Sequence, residues 1–221
     1  MSLPQAVFFD LDGTLLDTAP DFHTATNRVL MAEHLEPLDM ATLRGWVTNG
    51  SAGIIQSAFG IDEDHPEFSR LRQSLLEHYL NCLTDQTRIF SGLEQTIELL
   101  RDMNIPWGVV TNKPVRFAQP IIELLTPDCS ALVCPDHVRQ TKPDPEGLFI
   151  AAKQVNASPE SCVYVGDHER DILAGKQAGM KTVAAQWGYI DTDINPADWD
   201  ADYLIQEPHQ LPDIILNAFK N

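Results

Sequence analysis

The chain of 221 residues is 43% hydrophobic, and its 15 Lys and Arg stand against 32 Asp and Glu, a formal net charge of −17. That size predicts one large domain or one domain with an insert. The acidic surface excludes the clustered Lys and Arg by which nucleic acid and anionic lipid are bound. No stretch nears the roughly 18 apolar residues of a membrane span, and the opening MSLPQ lacks the basic and apolar regions of a secretory signal. Cys82, Cys129, Cys134 and Cys162 are scattered without a CxxC pair and read as reduced core residues of a cytoplasmic protein.

In chain order, Val7–Phe9 reads as a short buried strand. From Thr18 to Gln86 the signals are helical alone, with FHTATNRVLMAEHL and FSRLRQSLLEHYLNCL placing apolar residues at helical spacing. From Phe90 onward the pattern alternates. SGLEQTIELLRDM, with Ser91 and Glu94 in capping-box spacing, predicts a helix. WGVVTN then predicts a strand and VRFAQPIIELL a helix, with Pro120 as a point of irregularity or kinking. ALVCP is the next strand, and PEGLFIAAKQV the next helix, with Pro145 near its first turn. CVYVGD predicts a strand and ERDILAGKQAG a helix that Gly179 ends. KTVAAQ and ADYLI read as further short strands, and HQLPDIILNAF as a last helix. Repeated strand–helix units predict a Rossmann-like parallel sheet with helices on both faces. Residues 1–17 and 87–221 are expected to form this α/β core, with 18–86 a helical cap inserted after the first strand.

Ligands of open parallel sheets bind outside the carboxyl ends of the strands, so the residues that end each apolar run belong together. The first run ends in Asp10-Leu11-Asp12-Gly13, the second in Thr111-Asn112-Lys113, and the last in Gly166-Asp167, with Asp171 four residues on. The loop after ALVCP carries Lys142. Asp10, Asp12, Asp167 and Asp171 offer hard oxygens of the kind Mg²⁺ prefers. Asp167 and Asp171 would share a helix face if a helix begins there. The Thr111 hydroxyl, the Asn112 backbone N–H and the Lys142 ammonium suit phosphoryl oxygens, and Gly13 lets the backbone turn closely around them. A carboxylate can attack phosphorus to give an aspartyl-phosphate, and a second one can serve the leaving alcohol and then the attacking water. Asp10 and Asp12 fit those roles. Blander explanations exist for each residue: Thr111 and Asn112 are good helix caps, Lys142 could belong to a proline turn, and Asp171 complements a helix dipole. Taken together, the strand-end residues favour phosphoryl chemistry.

On DLDGT (10–14), Thr111, Lys142 and GDHERD (166–171), the chain resembles the haloacid dehalogenase superfamily. The resemblance implies Asp10 as nucleophile, Asp12 as acid/base, and Mg²⁺ held by the Asp10 side chain, the Asp12 carbonyl and Asp167. It implies Asp171 in the outer shell and Lys142 bridging Asp10 and the phosphate. Dehalogenases of that superfamily lack the second acid, and phosphonatases use a cap lysine, whereas no lysine lies between Thr18 and Gln86. FFDLDGTLLDTAPD and VVTNKP are similar to phosphoglycolate phosphatases. VVTNKPVRFAQPI, LVCPDHVRQTKPDPE and WGYI are similar to bacterial N-acetylmuramic acid 6-phosphate phosphatases of cell-wall recycling.

The expected activity is therefore Mg²⁺-dependent hydrolysis of a small phosphorylated metabolite. A phosphomutase and a non-enzymatic phospho-acceptor module are the alternatives. Arg44, Asn49 and Gly50, in the glycine-rich stretch RGWVTNGSAG, are candidates for substrate contact, as are Lys113 and Arg116. Equally, the stretch could be a helix–helix connection and the two cations could solvate a helix start. His137 and His168 lie near the motifs without any ligand spacing.

Overall fold

The structure is a computed structural model that describes residues 3–126 and 128–219. Its elements in chain order begin with β1 (Ala6–Phe9), β2 (Leu16–Asp17), α1 (Ala19–Ala32), α2 (Met40–Val47), α3 (Gly50–Phe59), α4 (Phe68–Leu80) and β3 (Arg88–Ile89). There follow α5 (Leu93–Asp102), β4 (Trp107–Val110), α6 (Val115–Leu125), β5 (Ala131–Val133), α7 (Glu146–Gln154) and β6 (Cys162–Gly166). The chain ends through α8 (Glu169–Gln177), β7 (Lys181–Ala185), β8 (Tyr203–Ile205) and α9 (Leu211–Asn217). Two compact units divide it. One comprises the residues up to Leu16 and those from Ile89 onward, the other Asp17–Arg88. Among the described residues, no helix is long and apolar enough to cross a membrane.

The first unit is built on a six-stranded sheet in the order β5-β4-β1-β6-β7-β8. Every neighbouring pair is parallel. The runs AVFF, WGVV and CVYVG are buried at every position, as unbroken apolar strands must be when helices cover both faces. The chain passes from β1 to β4 and β5 on one side and returns to β6 on the other. This reversal opens a crevice beyond the carboxyl ends of β1, β4 and β6. Phe9 is in register with both Val109 and Val165, so Asp10, Thr111 and Asp167 emerge along one edge.

The helix ends follow local chemistry, with two departures from the sequence reading. Gly92, at φ 100°, caps α5 in place of Ser91, and its N–H donates to Glu94 Oε2 at 2.8 Å. Only Glu94's half of the expected box is present, because the turn needs a left-handed residue that Ser would occupy under strain. Pro120 leaves α6 unbroken from Val115 to Leu125. It lies on the exposed face, where the carbonyl its missing N–H abandons can meet water. Gly179, at φ 77°, ends α8 as expected. Its N–H bonds the Lys176 carbonyl and the Met180 N–H that of Gly175, both at 3.0 Å, which is the Schellman pattern.

The second unit contains α1 to α4, with Leu43, Val47, Ile54, Ile55, Leu71 and Leu75 buried. Phe22 and Tyr79 stack with ring centroids 3.8 Å apart. The Arg44–Gly53 stretch is mostly helix: Arg44–Val47 finish α2 and Gly50 opens α3, leaving Thr48 and Asn49 as the link. Burial of the flanking apolar residues outweighs glycine's poor helix propensity there. The fully buried Asp21 closes the unit. Its carboxylate accepts from the Gln86 N–H at 2.9 Å, the Thr87 N–H at 2.9 Å and the Thr87 hydroxyl at 2.6 Å. Replacing Asp21 by Ala leaves these donors unmatched, at about 1–3 kcal/mol for a buried group. Urea unfolding of Asp21→Ala is expected to show a stability loss of about 3 kcal/mol with an unchanged m-value; a loss under about 1 kcal/mol would show that water replaces the carboxylate.

Candidate active site

Asp10 follows β1, Asp167 follows β6, and Asp171 lies in the first turn of α8. One oxygen from each falls within 4.8 Å of the others. The i, i+4 spacing of Asp167 and Asp171 does not place them on one helix face, because α8 begins after Asp167. They meet as a strand end and a helix start. Gly166 allows this, since a Cβ there would lie 2.5 Å from Asp171 Cγ.

Lys142 is 6% exposed. Its ammonium reaches Asp10 Oδ1 at 2.7 Å, Asp171 Oδ1 at 2.7 Å and Tyr164 Oη at 2.9 Å. The Tyr164 hydroxyl donates onward to the Val110 carbonyl at 3.0 Å. Asn112 holds the loop that carries Lys142. Its Nδ2 donates to the Lys142 carbonyl and its Oδ1 accepts from the Lys142 N–H, both at 3.2 Å. Asp171 also accepts at Oδ2 from the His168 N–H at 3.1 Å. Asp167 accepts from the Thr14 hydroxyl at one oxygen and from the Tyr189 N–H at the other, each at 2.8 Å.

The Asp12 carboxylate stands apart from the clustered trio of Asp10, Asp167 and Asp171. The Lys113 ammonium lies 2.8 Å from its Oδ1, with side-chain exposures of 5% for Lys113 and 20% for Asp12. Opposite charges in a poorly hydrated site draw together, which removes this carboxylate from the acidic trio and sets Lys113 on Asp12. The Thr111 hydroxyl is buried and accepts from the Lys113 N–H at 3.1 Å. The Arg116 guanidinium sits over the Phe117 ring, 4.5 Å from its centroid. Gly13 adopts φ 86°, and a Cβ there would lie 2.9 Å from Asp167 Cγ. Arg44, Asn49 and Gly50 belong to the helical unit. Within it, Arg44 pairs with Asp17, Asn49 precedes α3 without a side-chain cap bond, and Gly50 adopts φ 64°.

Burial shapes the electrostatics. It pushes Asp10 up to about 6 against the pull of Lys142. Burial, then repulsion from Asp10 and Asp171, pushes Asp167 up to about 8. Burial works against the Lys142 cation, yet Asp10 and Asp171 hold it above its usual range. His168 is lowered to about 4 by burial and by Arg170, which suits its neutral Nδ1 accepting the Arg170 N–H at 3.1 Å. Three clustered carboxylates form a hard-oxygen set that could hold a divalent cation, and such a cation would relieve the crowding that raises their proton affinity.

The family model for haloacid dehalogenase-like hydrolases matches residues 7–185, a span that contains every residue of this strand-end cluster. The chain belongs to the haloacid dehalogenase-like hydrolases. Among similar proteins of this family, an N-acetylmuramic acid 6-phosphate phosphatase of Pseudomonas aeruginosa is 42% identical over 216 residues, covering 97% of this chain and 96% of its own length. A phosphoglycolate phosphatase of Xanthomonas campestris is 41% identical over 213 residues, covering 96% of each. A crystal structure of a predicted phosphoglycolate phosphatase from Haemophilus somnus superposes with a TM-score of 0.84 at 25% identity, covering 97% of this chain and 99% of the other.

Thr14, Tyr164 and Tyr189 were not singled out from sequence. Thr14 lies inside DLDGT without a role of its own, Tyr164 reads as strand core, and Tyr189 contributes a backbone N–H that carries no side-chain signal. A carboxyl raised on folding carries stability that is present below its unfolded pKa and lost as pH climbs through the folded value. The metal-free protein therefore loses stability through about pH 6 and about pH 8 at Asp10 and Asp167. A bound cation, which must displace those protons, offsets the loss. The rise in Tm on adding a divalent cation is expected to be larger near pH 8.5 than near pH 5; an equal rise at both would mean that these carboxyls are not the ligands.

Proposed function

We propose that this hydrolase is a Mg²⁺-dependent phosphomonoester hydrolase acting through an aspartyl-phosphate at Asp10, on a small phosphorylated metabolite in the cytoplasm. The observation that carries the reading is the Asp10–Lys142–Asp171 arrangement beside Asp167, with a second acid two residues beyond Asp10. Asp10 Oδ1 is held by Lys142, which fixes the carboxylate while its other oxygen attacks phosphorus in line. The P–O bond to the leaving alcohol breaks, and Asp12, carrying a proton in the substrate complex in place of its pairing with Lys113, gives that oxygen its proton. Asp12 then takes a proton from water as the water oxygen attacks phosphorus, and the bond to Asp10 breaks to release phosphate.

The Asp10 and Asp167 carboxylates and the Asp12 carbonyl would hold Mg²⁺, with Asp171 in the outer shell, where it accepts from Lys142 and the His168 N–H. Mg²⁺ would supply charge neutralisation to the phosphoryl oxygens. The Thr111 hydroxyl, the Asn112 N–H and the turn at Gly13 serve the same oxygens from the protein side, and Lys142 presents its charge to them. For substrate, the similarity to phosphoglycolate phosphatases supports a small phosphorylated acid. The 42% identity to the Pseudomonas enzyme supports N-acetylmuramic acid 6-phosphate as the second reading. The helical unit, with Arg44, Asn49 and Gly50, is left to choose between them, together with Lys113 and Arg116.

Phosphate release with Mg²⁺ from 2-phosphoglycolate, N-acetylmuramic acid 6-phosphate and hexose phosphates tests the reading. A preference of about a hundredfold in kcat/KM, equivalent to about 2.7 kcal/mol, names the substrate. No release from any of them overturns the proposal. Asp10→Asn is expected to abolish turnover at an unchanged or higher Tm, since a buried charge is removed, and retained turnover would exclude Asp10 as nucleophile. Asp12→Asn is expected to slow kcat by about 10²–10⁴ while phosphate still binds; full activity would assign the acid/base elsewhere.

A further inference from the structure

Asp167 is enclosed by two chain segments far from it in sequence. On one side are Gly13 and Thr14, which follow β1. On the other is the turn Trp187-Gly188-Tyr189, which follows β7 and lies beyond the 7–185 family match. The Thr14 hydroxyl and the Tyr189 N–H each take one Asp167 oxygen at 2.8 Å. The Trp187 indole N–H donates to the Thr14 carbonyl at 3.0 Å, joining the two segments. Both glycines are required by contact with this carboxylate. A Cβ on Gly188 would lie 2.5 Å from Asp167 Cγ, and one on Gly13 2.9 Å from it, closer than non-bonded carbons approach. The clamp leaves lone pairs free, since a carboxylate has about four acceptor positions and these two bonds use one on each oxygen.

We propose that the Trp187–Tyr189 turn and Thr14 are positioning elements of the cation site, holding the Asp167 carboxylate in its ligating orientation. An unclamped Asp167 could rotate away and form other hydrogen bonds. The clamp restrains that rotation before the cation arrives, so its contribution falls on cation affinity and leaves the chemical step alone. The turn does this through a backbone N–H and an absent side chain. A side chain added at Gly188 would displace it. The proposal rests on the reading of Asp167 as a cation ligand.

The test is calorimetric titration of Mg²⁺ into the full-length protein, alongside the Mg²⁺ dependence of phosphate release. Gly188→Ala and Thr14→Val are expected to bind Mg²⁺ about 10–100-fold more weakly. Their kcat at saturating Mg²⁺ is expected to stay within about threefold of the parent. Thr14→Ser, which keeps the hydroxyl, is expected to restore affinity to within about threefold of the parent. Unchanged affinity in both weakened variants overturns the proposal, as does a loss of kcat that saturating Mg²⁺ does not recover. Where Gly188→Ala fails to fold, the near-isosteric Thr14→Val decides. A parent that binds Mg²⁺ but releases no phosphate overturns the hydrolase reading alone. A parent that neither binds Mg²⁺ nor releases phosphate overturns both.

Discussion

The buried ammonium of Lys142, set between Asp10 and Asp171, is the contact on which the rest of the site depends. Two carboxylates this deep in the protein would repel each other and lose hydration, and one would take up a proton. Lys142 spends its three N–H donors on Asp10, Asp171 and Tyr164, so none of its hydrogen-bonding capacity is left unmet. The Asn112 brace and the Tyr164 bond to the Val110 carbonyl then fix where the ammonium can sit. A buried ion pair of this kind adds little net stability compared with a well-packed apolar substitute. Its presence at a strand-end crevice is easier to explain by the charge it presents to a ligand than by any service to the fold.

Around that contact the charges sort into separate groups. Lys142 serves Asp10 and Asp171, Lys113 serves Asp12, and neutral donors serve Asp167. Asp12 is thereby set apart from the acidic trio even though only Leu11 separates it from Asp10. This division gives two carboxylates of one short motif different surroundings, which is the condition for their doing different chemistry.

The strand-end rule made Asp10, Thr111, Lys142 and Asp167 legible, because each closes or follows an apolar run and the sheet gathers those ends. The β–α alternation was legible for the same reason: long buried runs such as CVYVG have few alternative structures. Side-chain pairings were not. The bond between Lys113 and Asp12 depends on how two loops approach, and no spacing in one chain reports that. The role of Tyr164 was hidden because a buried tyrosine in an apolar strand reads as packing. Glycines misled in opposite directions. Those near Arg44 suggested a loop where packing enforces helix, whereas Gly92 took the capping place that Ser91 and Glu94 advertised.

The placement of β1 also bears on how the chain is made. Its partners are Trp107–Val109 on one edge and Cys162–Val165 on the other. The apolar run Val7–Phe9 therefore leaves the ribosome long before either partner exists. Asp17–Arg88 is synthesised in the interval, and its helices make mainly local contacts of the kind that form quickly. The strand that leads into Asp10 must wait with both hydrogen-bonding edges open, a state prone to pairing with other chains. Synthesis of β6 ends that exposure, so the same stretch of translation that covers the second edge of β1 also delivers Asp167 to the site.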